Sequence, residues 1–365
     1  MKNMGTHNSY YLIQKNDEKS QCWAKEARLL GIELIPMAPS PILYLYILLK
    51  MLIRRGKPNG VILRYVNDYP SLIKTVIRMI LEFTLIALIL ALRIELYWIC
   101  HNVDKETVAH HGRISRFRRQ IIARCSHKIF VTNVLLVKHF QLHFNQVVKK
   151  CHGIQFGLPQ NKIQTNKTAE NQALEFINQK KKEHNRKQVN SPNVLVTLCA
   201  GTPDNEKYLH FDHLQWMIDV ARDADYEVIA IVAGNFNHTN RGLKLKAQYA
   251  QNKNILLFDQ YTEFSDKFVK QYIDFYWRAY ADLSVPYTVY EAVKFQKPVM
   301  CLETGFLCEL IQKFSLGPTI SIADPASHIK DSLDKIQSQQ YARALKKFQL
   351  QASWGDLINH LLRNP

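Results

Sequence analysis

The chain of 365 residues has seven cysteines and no C-x-x-C pair among them. The odd number and the wide spacing, at positions 22, 100, 125, 151, 199, 301 and 308, argue against a zinc ribbon, a redox dithiol or a disulfide framework. A reducing cytoplasm is the simplest compartment. The opening MKNMGTHNSYYLIQ lacks the long apolar core of a secretory signal. Long apolar runs are missing elsewhere too. The uncharged run from Phe83 to Leu92 is bracketed by Glu82 and Arg93 and is about half the length that spans a bilayer. It reads as a buried or monotopic helix rather than a membrane span. A close internal repeat is absent. A composition of 47% hydrophobic and 22% charged residues excludes wholesale disorder and fibrous classes, and the length suggests about two domains.

Acid is scarce in the first part of the chain. Lys and Arg number 48 against 31 Asp and Glu, a net charge of +17. Residues 1–150 hold 23 basic and 9 acidic side chains, and residues 151–365 hold 25 and 22. The first part is therefore built to meet something anionic: nucleic acid, an anionic membrane surface or a phosphorylated ligand. A nucleic-acid-binding protein would use this basic half. No recognised nucleic-acid module appears, however, and the second half would have no role, so no nucleic acid partner is expected.

Strand and helix patterns alternate through both halves. YYLIQ at 10–14, IELIPM at 32–37, GVILRYV at 60–66, ELYWICHN at 95–102 and HKIFVTN at 127–133 read as strands. Helical patterns fall at 22–31, 41–55, 71–93 and 113–126. Polar residues 160–193 read as a linker with one surface helix around 168–182. Alternation then resumes, with strands at 193–199, 226–234, 254–258 and 297–303 and an amphipathic helix over 210–224. This spacing predicts two α/β halves built on parallel sheets.

The most informative segment is 274–318, DFYWRAYADLSVPYTVYEAVKFQKPVMCLETGFLCELIQKFSLG. A strand leads to a loop holding Ser284, then a helix carrying Glu291, a buried strand, and a further helix after Gly305. A loop-to-helix step with free N–H groups beside Ser284 and Thr288 is a ready anion site. Glu291 lies one turn beyond Thr288 and could accept two hydrogen bonds from a diol. The same T-x-x-E spacing also fits a plain capping box.

This segment resembles the nucleotide-sugar half of GT-B-fold glycosyltransferases, especially those of family 4 type. They carry a serine-bearing loop, then an E-A step, a P-V step and a G-x-x-E-L-I segment. Here these are Ser284, Glu291-Ala292, Pro298-Val299 and GFLCELI at 305–311. The resemblance implies two Rossmann-like domains facing each other across a cleft. It implies that Glu291 grips the donor ribose, and that Ser284, Tyr287 and Thr288 hold the pyrophosphate. Gly201 and Lys207 occupy the place of the loop that opens the second domain. The division implied is an acceptor domain at 1–160, a linker at 161–192, a nucleotide-sugar domain at 193–345 and closing helices at 346–365 that cross back. Two departures stand out. Family 4 enzymes have an acid eight positions before the ribose glutamate, where this chain has Leu283. The glycine-rich loop after the first strand is also absent.

In the first domain, His101 ends a buried strand, with Asp104 and Glu106 on the loop beyond. Strand C-termini in open parallel sheets point at the binding crevice, so His101 is expected to contact the transferred sugar or act as base, with either carboxylate as an alternative. Similar glycosyltransferases carry a histidine there. A histidine that merely caps the strand is the other reading. Asp68, Asp17 and Glu18 end neighbouring strands and are weaker candidates. The run at 113–128 places Arg113, Arg116, Arg118, Arg119 and Arg124 beside isoleucines. That pattern fits a helix lying on an anionic membrane surface and equally a solvated face packed on a core. Together these features predict a glycosyltransferase of bacterial capsule, exopolysaccharide or lipopolysaccharide synthesis. It would use a nucleotide diphosphate sugar and a lipid-linked or saccharide acceptor, without metal or bound cofactor, at the inner face of the plasma membrane. An inactive scaffold with the same fold is the further alternative, given Leu283.

Overall fold

The computed structural model describes residues 9–37, 40–106, 110–162, 166–185, 193–203, 208–323 and 325–362. Two compact units emerge. The first runs to Gly157 and includes Leu283–Val285 and the chain from Ser353 onward, while the second takes Leu158–Asp282 and Pro286–Ala352.

The elements follow in chain order as β1 (Tyr10–Gln14), α1 (Glu18–Leu29), β2 (Glu33–Met37), α2 (Pro41–Arg55), β3 (Gly60–Leu63), α3 (Leu72–Ala91), β4 (Glu95–Cys100), α4 (Gly112–Cys125), β5 (Lys128–Val131), α5 (Leu136–His143) and β6 (Cys151–Gly153). Then come α6 (Lys167–Asn185), β7 (Asn193–Ala200), α7 (Leu209–Asp212), α8 (Leu214–Asp223), β8 (Tyr226–Ala233), α9 (Asn240–Tyr249), β9 (Ile255–Phe258), α10 (Asp266–Tyr272) and β10 (Phe275–Trp277). The chain closes with α11 (Tyr287–Lys294), β11 (Val299–Leu302), α12 (Gly305–Phe314), β12 (Thr319–Ile320), α13 (Pro325–Gln337), α14 (Ala342–Gln351) and α15 (Gly355–Leu362).

Each unit is built on a parallel six-stranded sheet. The first has the order β2-β1-β3-β4-β5-β6 and the second β12-β11-β10-β7-β8-β9. Strands with both faces covered read as unbroken apolar runs, and β3 and β5 do so. Pro36, which cannot donate to a ladder, lies in β2 at the sheet edge, where it is tolerated. Right-handed crossovers place α2, α3 and α4 on one face of the first sheet and α1 on the other. Contacts of α3 with α2 and α4, and of α1 with α15, agree.

Three local expectations change. Helix α1 begins four residues earlier than its apolar pattern suggests, because Asp17 and Ser20 form a capping box. The Asp17 carboxylate accepts from the Ser20 amide at 3.0 Å, and the Ser20 hydroxyl accepts from the Asp17 amide at 2.9 Å. The surface helix expected around 168–182 is present as the 19-residue α6, but one of its faces is buried. Ala169, Ala173 and Ile177 recur every four residues along it and are buried against β8 and β9. Small residues gave that stripe too weak an apolar signal to be read. The helix expected over 210–224 is two helices that meet at His213.

The largest correction concerns α4. Its buried stripe is Ser115, Arg118, Arg119, Ile122 and Ala123, at helical spacing. Arg118 is wholly buried and Arg119 is 3% exposed, so neither lies on the surface where the sequence pattern put them. Acids from other segments draw them in. Arg118 forks onto Glu82 of α3, with Nε to Oε2 at 2.9 Å and Nη2 to Oε1 at 2.8 Å. Arg78 joins the same carboxylate at 2.9 Å. Arg119 pairs with Glu106 at 3.3 Å and donates to the Val103 carbonyl at 2.9 Å. Arg113, Arg116 and Arg124 remain exposed.

Removing one partner of a buried, forked pair strands the other charge. Glu82→Leu is therefore expected to lower unfolding free energy by about 3–5 kcal/mol in urea titrations. Adding Arg118→Met should return a large part of that loss. A double variant as unstable as the sum of both single variants would contradict the pairing.

Candidate active site

In the first unit the connection reverses direction at β1, which has β2 on one side and β3 on the other. The crevice outside the C-terminal ends of such strands is where open α/β sheets place ligands. Gln14, the last residue of β1, holds the start of the β3 exit. Its Oε1 accepts the amides of Arg64 and Tyr65, and its Nε2 donates to the Tyr65 carbonyl at 3.0 Å. Arg64 is 1% exposed and organises the crevice. Nη1 meets Asp17 Oδ1 at 2.7 Å, Nη2 donates to the Tyr65 hydroxyl at 3.1 Å, and Nε donates to His101 Nε2 at 3.4 Å. The guanidinium also stands 5.0 Å from the Trp23 ring centroid, a cation–π distance.

His101 follows β4 and stacks on Tyr65, with centroids 4.7 Å apart and planes 9° from parallel. Because Arg64 donates to Nε2, the imidazole proton sits on Nδ1. Burial, then Lys19, Arg64 and Lys15, hold the imidazole pKa well below its usual value. Burial and the Arg64 charge bring Lys19 down to about 8. Burial alone would raise the Asp17 carboxyl, but Arg64 and the Ser20 hydrogen bonds outweigh it and hold the pKa low. Asp104 is half-buried, and its Oδ1 accepts from the Leu283 amide at 3.3 Å. Glu106 is buried in its pair with Arg119 and accepts from the Val66 amide at 3.3 Å. Its carboxylate thus holds α4 to the segment after β3 and is not open to a substrate.

The second unit reverses between β7 and β10. Here Gly201 follows β7 with a φ of 142°, in a region that only glycine enters readily. A Cβ there would stand 3.0 Å from Arg278 Nη1. Arg278 follows β10 and is 6% exposed. It donates to the Ala200 carbonyl and, at 3.1 Å, to His210 Nε2. His210 Nδ1 in turn donates to the Ala279 carbonyl at 3.0 Å. The rings of Tyr208 and Tyr280 lie 5.1 and 5.5 Å from the guanidinium carbon. Among the described residues no carboxylate pairs with Arg278, and its Nε has no hydrogen-bond partner. A buried cation in that condition is an uncompensated charge.

Helix α11 starts after Pro286 and has no side-chain cap, so the T-x-x-E capping box is not formed. The Thr288 hydroxyl is buried without a partner among the described residues. Glu291 Oε1 meets Lys162 Nζ at 2.7 Å. Ser284 is buried at 7% exposure and Tyr287 is half-buried. Lys207 lies outside the described residues. Gly201 and Arg278 share one strand-end crevice, while Thr288 and Glu291 share α11. Sequence reasoning passed over Arg64, Arg278, His210 and Lys162. A usable signal was present: each arginine directly follows a buried strand, in VILR and FYWR.

No family model matches the chain, and no curated protein matches it by sequence. Solved structures do match, over nearly its whole length. The catalytic domain of starch synthase IV from Arabidopsis thaliana, bound to ADP and acarbose, is 12% identical with a TM-score of 0.63, covering 97% of this chain and 98% of that one. A glycosyltransferase from Rickettsia africae is 14% identical with a TM-score of 0.57, covering 98% and 100%. Anabaena HepE in complex with UDP is 11% identical with a TM-score of 0.59, covering 97% and 99%. The chain has the GT-B glycosyltransferase fold.

Both histidines should remain neutral, with the proton on Nδ1, in long-range ¹H–¹⁵N spectra at pH 6. Burial and Arg278 hold the His210 pKa well below its usual value. Below about pH 6.5 the unfolded chain therefore binds a proton that folded His210 does not. Stability should then fall with pH by about 1.4 kcal/mol per unit from this residue, until the folded pKa is reached. A doubly protonated His210 at pH 6 would contradict this geometry.

Proposed function

We propose that the chain transfers a sugar from a nucleotide diphosphate sugar to a lipid-linked or saccharide acceptor. The likeness in fold to glycosyltransferases along the whole chain carries this reading. Two of those structures were solved with ADP or UDP, and the second unit offers a nucleoside diphosphate the groups it needs. Glu291 Oε2, with no partner among the described residues, accepts from the ribose hydroxyls. Arg278, the Thr288 hydroxyl, Tyr287 and the first amides of α11 take the diphosphate. A guanidinium and a helix N-terminus favour negative charge developing on the leaving group, so the reaction needs no metal ion and should survive EDTA.

The first unit takes the acceptor. His101 cannot readily be the base, since its Nε2 already accepts from Arg64 and its pKa is held low. It positions a sugar hydroxyl by donating from Nδ1. Asp104 is the carboxylate left to take the acceptor proton, with Oδ2 available, because Glu106 is bound to Arg119. The charge of the first half suits a phosphorylated or lipid-linked acceptor. We place the reaction in bacterial capsule, exopolysaccharide or lipopolysaccharide synthesis, at the inner face of the plasma membrane.

Glu291→Ala should weaken nucleotide diphosphate sugar binding at least about tenfold in calorimetric titrations, the worth of one hydrogen bond to a charged group. Unchanged affinity in a folded variant would remove the ribose role. His101→Ala should lower turnover by roughly 10²-fold while nucleoside diphosphate affinity stays the same, and Asp104→Asn should abolish transfer. Full transfer activity in both variants would place the chemistry on other residues.

A further inference from the structure

The apolar side chains that the first unit leaves uncovered are concentrated on α2 and α3. On α2, Ile42, Tyr46, Leu49 and Ile53 recur at i, i+4, i+7 and i+11, opposite the buried Tyr44 and Leu48. On α3, Ile73, Ile77 and Ile80 recur at i, i+4 and i+7, away from the buried Leu85, Ile86 and Ile89. Ile53 is 87% exposed and Ile73 71%. These are not scattered residues. The two helices pack side by side on one face of the sheet, so each contributes an outward stripe to the same surface. Patches of this kind mark an interaction surface.

The charges around them are predominantly basic, although Arg55 is paired with Glu33 of β2 at 2.6 Å. Helix α2 has no acid, and the single acid of α3, Glu82, is buried beneath Arg118. Arg54, Arg55 and Lys57 are exposed at the end of α2, Lys74 is exposed on α3, and Arg113 and Arg116 are exposed on the adjoining α4. No helix of the described residues is long and apolar enough to cross a membrane.

We infer that this α2–α3 face docks the protein on an anionic lipid bilayer, with Ile53, Ile73 and Ile77 entering the interface and the surrounding lysines and arginines meeting lipid phosphates. Amphipathic helices with an apolar stripe, a basic flank and no acid lie in the interface plane in this way. A second copy of the chain fits poorly, because a symmetric pairing would set the same basic residues against each other. The inference deepens the proposed function, resting on that reading for the lipid-linked acceptor such a position would serve. The surface itself stands on exposure and charge. It also replaces the inward-facing Arg118 and Arg119 as the basis of membrane contact.

The test is flotation of the full chain with vesicles of phosphatidylcholine alone or mixed with phosphatidylglycerol, at fixed salt. The protein should float with the mixed vesicles and much less with neutral ones. Each basic residue near an anionic surface contributes roughly fivefold. Ile53→Glu, Ile73→Glu and Ile77→Glu combined should cut the bound fraction at least tenfold. These side chains are exposed, so nucleoside diphosphate affinity, measured on the same samples without lipid, should not change. That titration separates failure of the docking surface from failure of the donor site. Absent flotation of the unmodified chain, or equal flotation of the triple variant, would overturn the inference. So would a lipid-free dimer in analytical ultracentrifugation that the triple variant converts to monomer, since the face would then belong to a second copy.

Discussion

Each parallel sheet ends at a buried arginine, and the rest of the site depends on how that charge is held. In the first unit Arg64 is compensated: Asp17 at 2.7 Å neutralises it, and its remaining donors fix Tyr65 and His101. The ring orientation, the tautomer and the low basicity of His101 all follow from that one side chain. In the second unit Arg278 has the same position relative to its sheet, directly after the strand across the reversal, and the same histidine partner type. It has no carboxylate among the described residues. An interior tolerates an unpaired guanidinium poorly, and in the proposed function the donor diphosphate is the anion that pairs with it. The proposed function uses this contrast, with a neutral, hydrogen-bonding task for the first crevice and a charged ligand for the second.

The alternation of strands and helices was legible because every central strand is a short apolar run bounded by polar residues. Helix α2 was read at its observed limits, and β1, β4 and β8 nearly so. Side-chain direction on charged helices was not legible. The burial of Arg118 and Arg119 depends on Glu82 and Glu106, which lie 36 and 13 residues away, and no local pattern carries that information. The same holds for α6, whose inward stripe consists largely of alanines. Glu291 and Thr288 were legible from the loop-to-helix step and their one-turn spacing, with the resemblance adding their roles, yet the choice between capping box and open hydroxyl needed the structure. Pro286 settles it by standing at the N-cap of α11, which leaves Thr288 inside the first turn instead of capping it.

The charge imbalance of the first half resolves into two populations. Arg64, Arg78, Arg118 and Arg119 are interior or nearly so, where they tie loops and helices to the sheet through the half-buried Asp17 and the buried Glu82 and Glu106. Arg54, Lys57, Lys74, Arg113 and Arg116 are on the surface. Composition counts both alike. Only the second population can attract an anionic partner, and it borders the apolar stripes of α2 and α3.

The central claim is that the strand-end crevice around Arg278 takes a nucleoside diphosphate. Thermal unfolding of the full chain against a panel of nucleoside diphosphates tests it most directly. At about 100 times its dissociation constant, one of them should stabilise the fold by about 2.7 kcal/mol, and Arg278→Met should remove the effect. If millimolar nucleoside diphosphates leave the transition unmoved while single- or double-stranded nucleic acid raises it, the account is contradicted and the basic half serves a different partner.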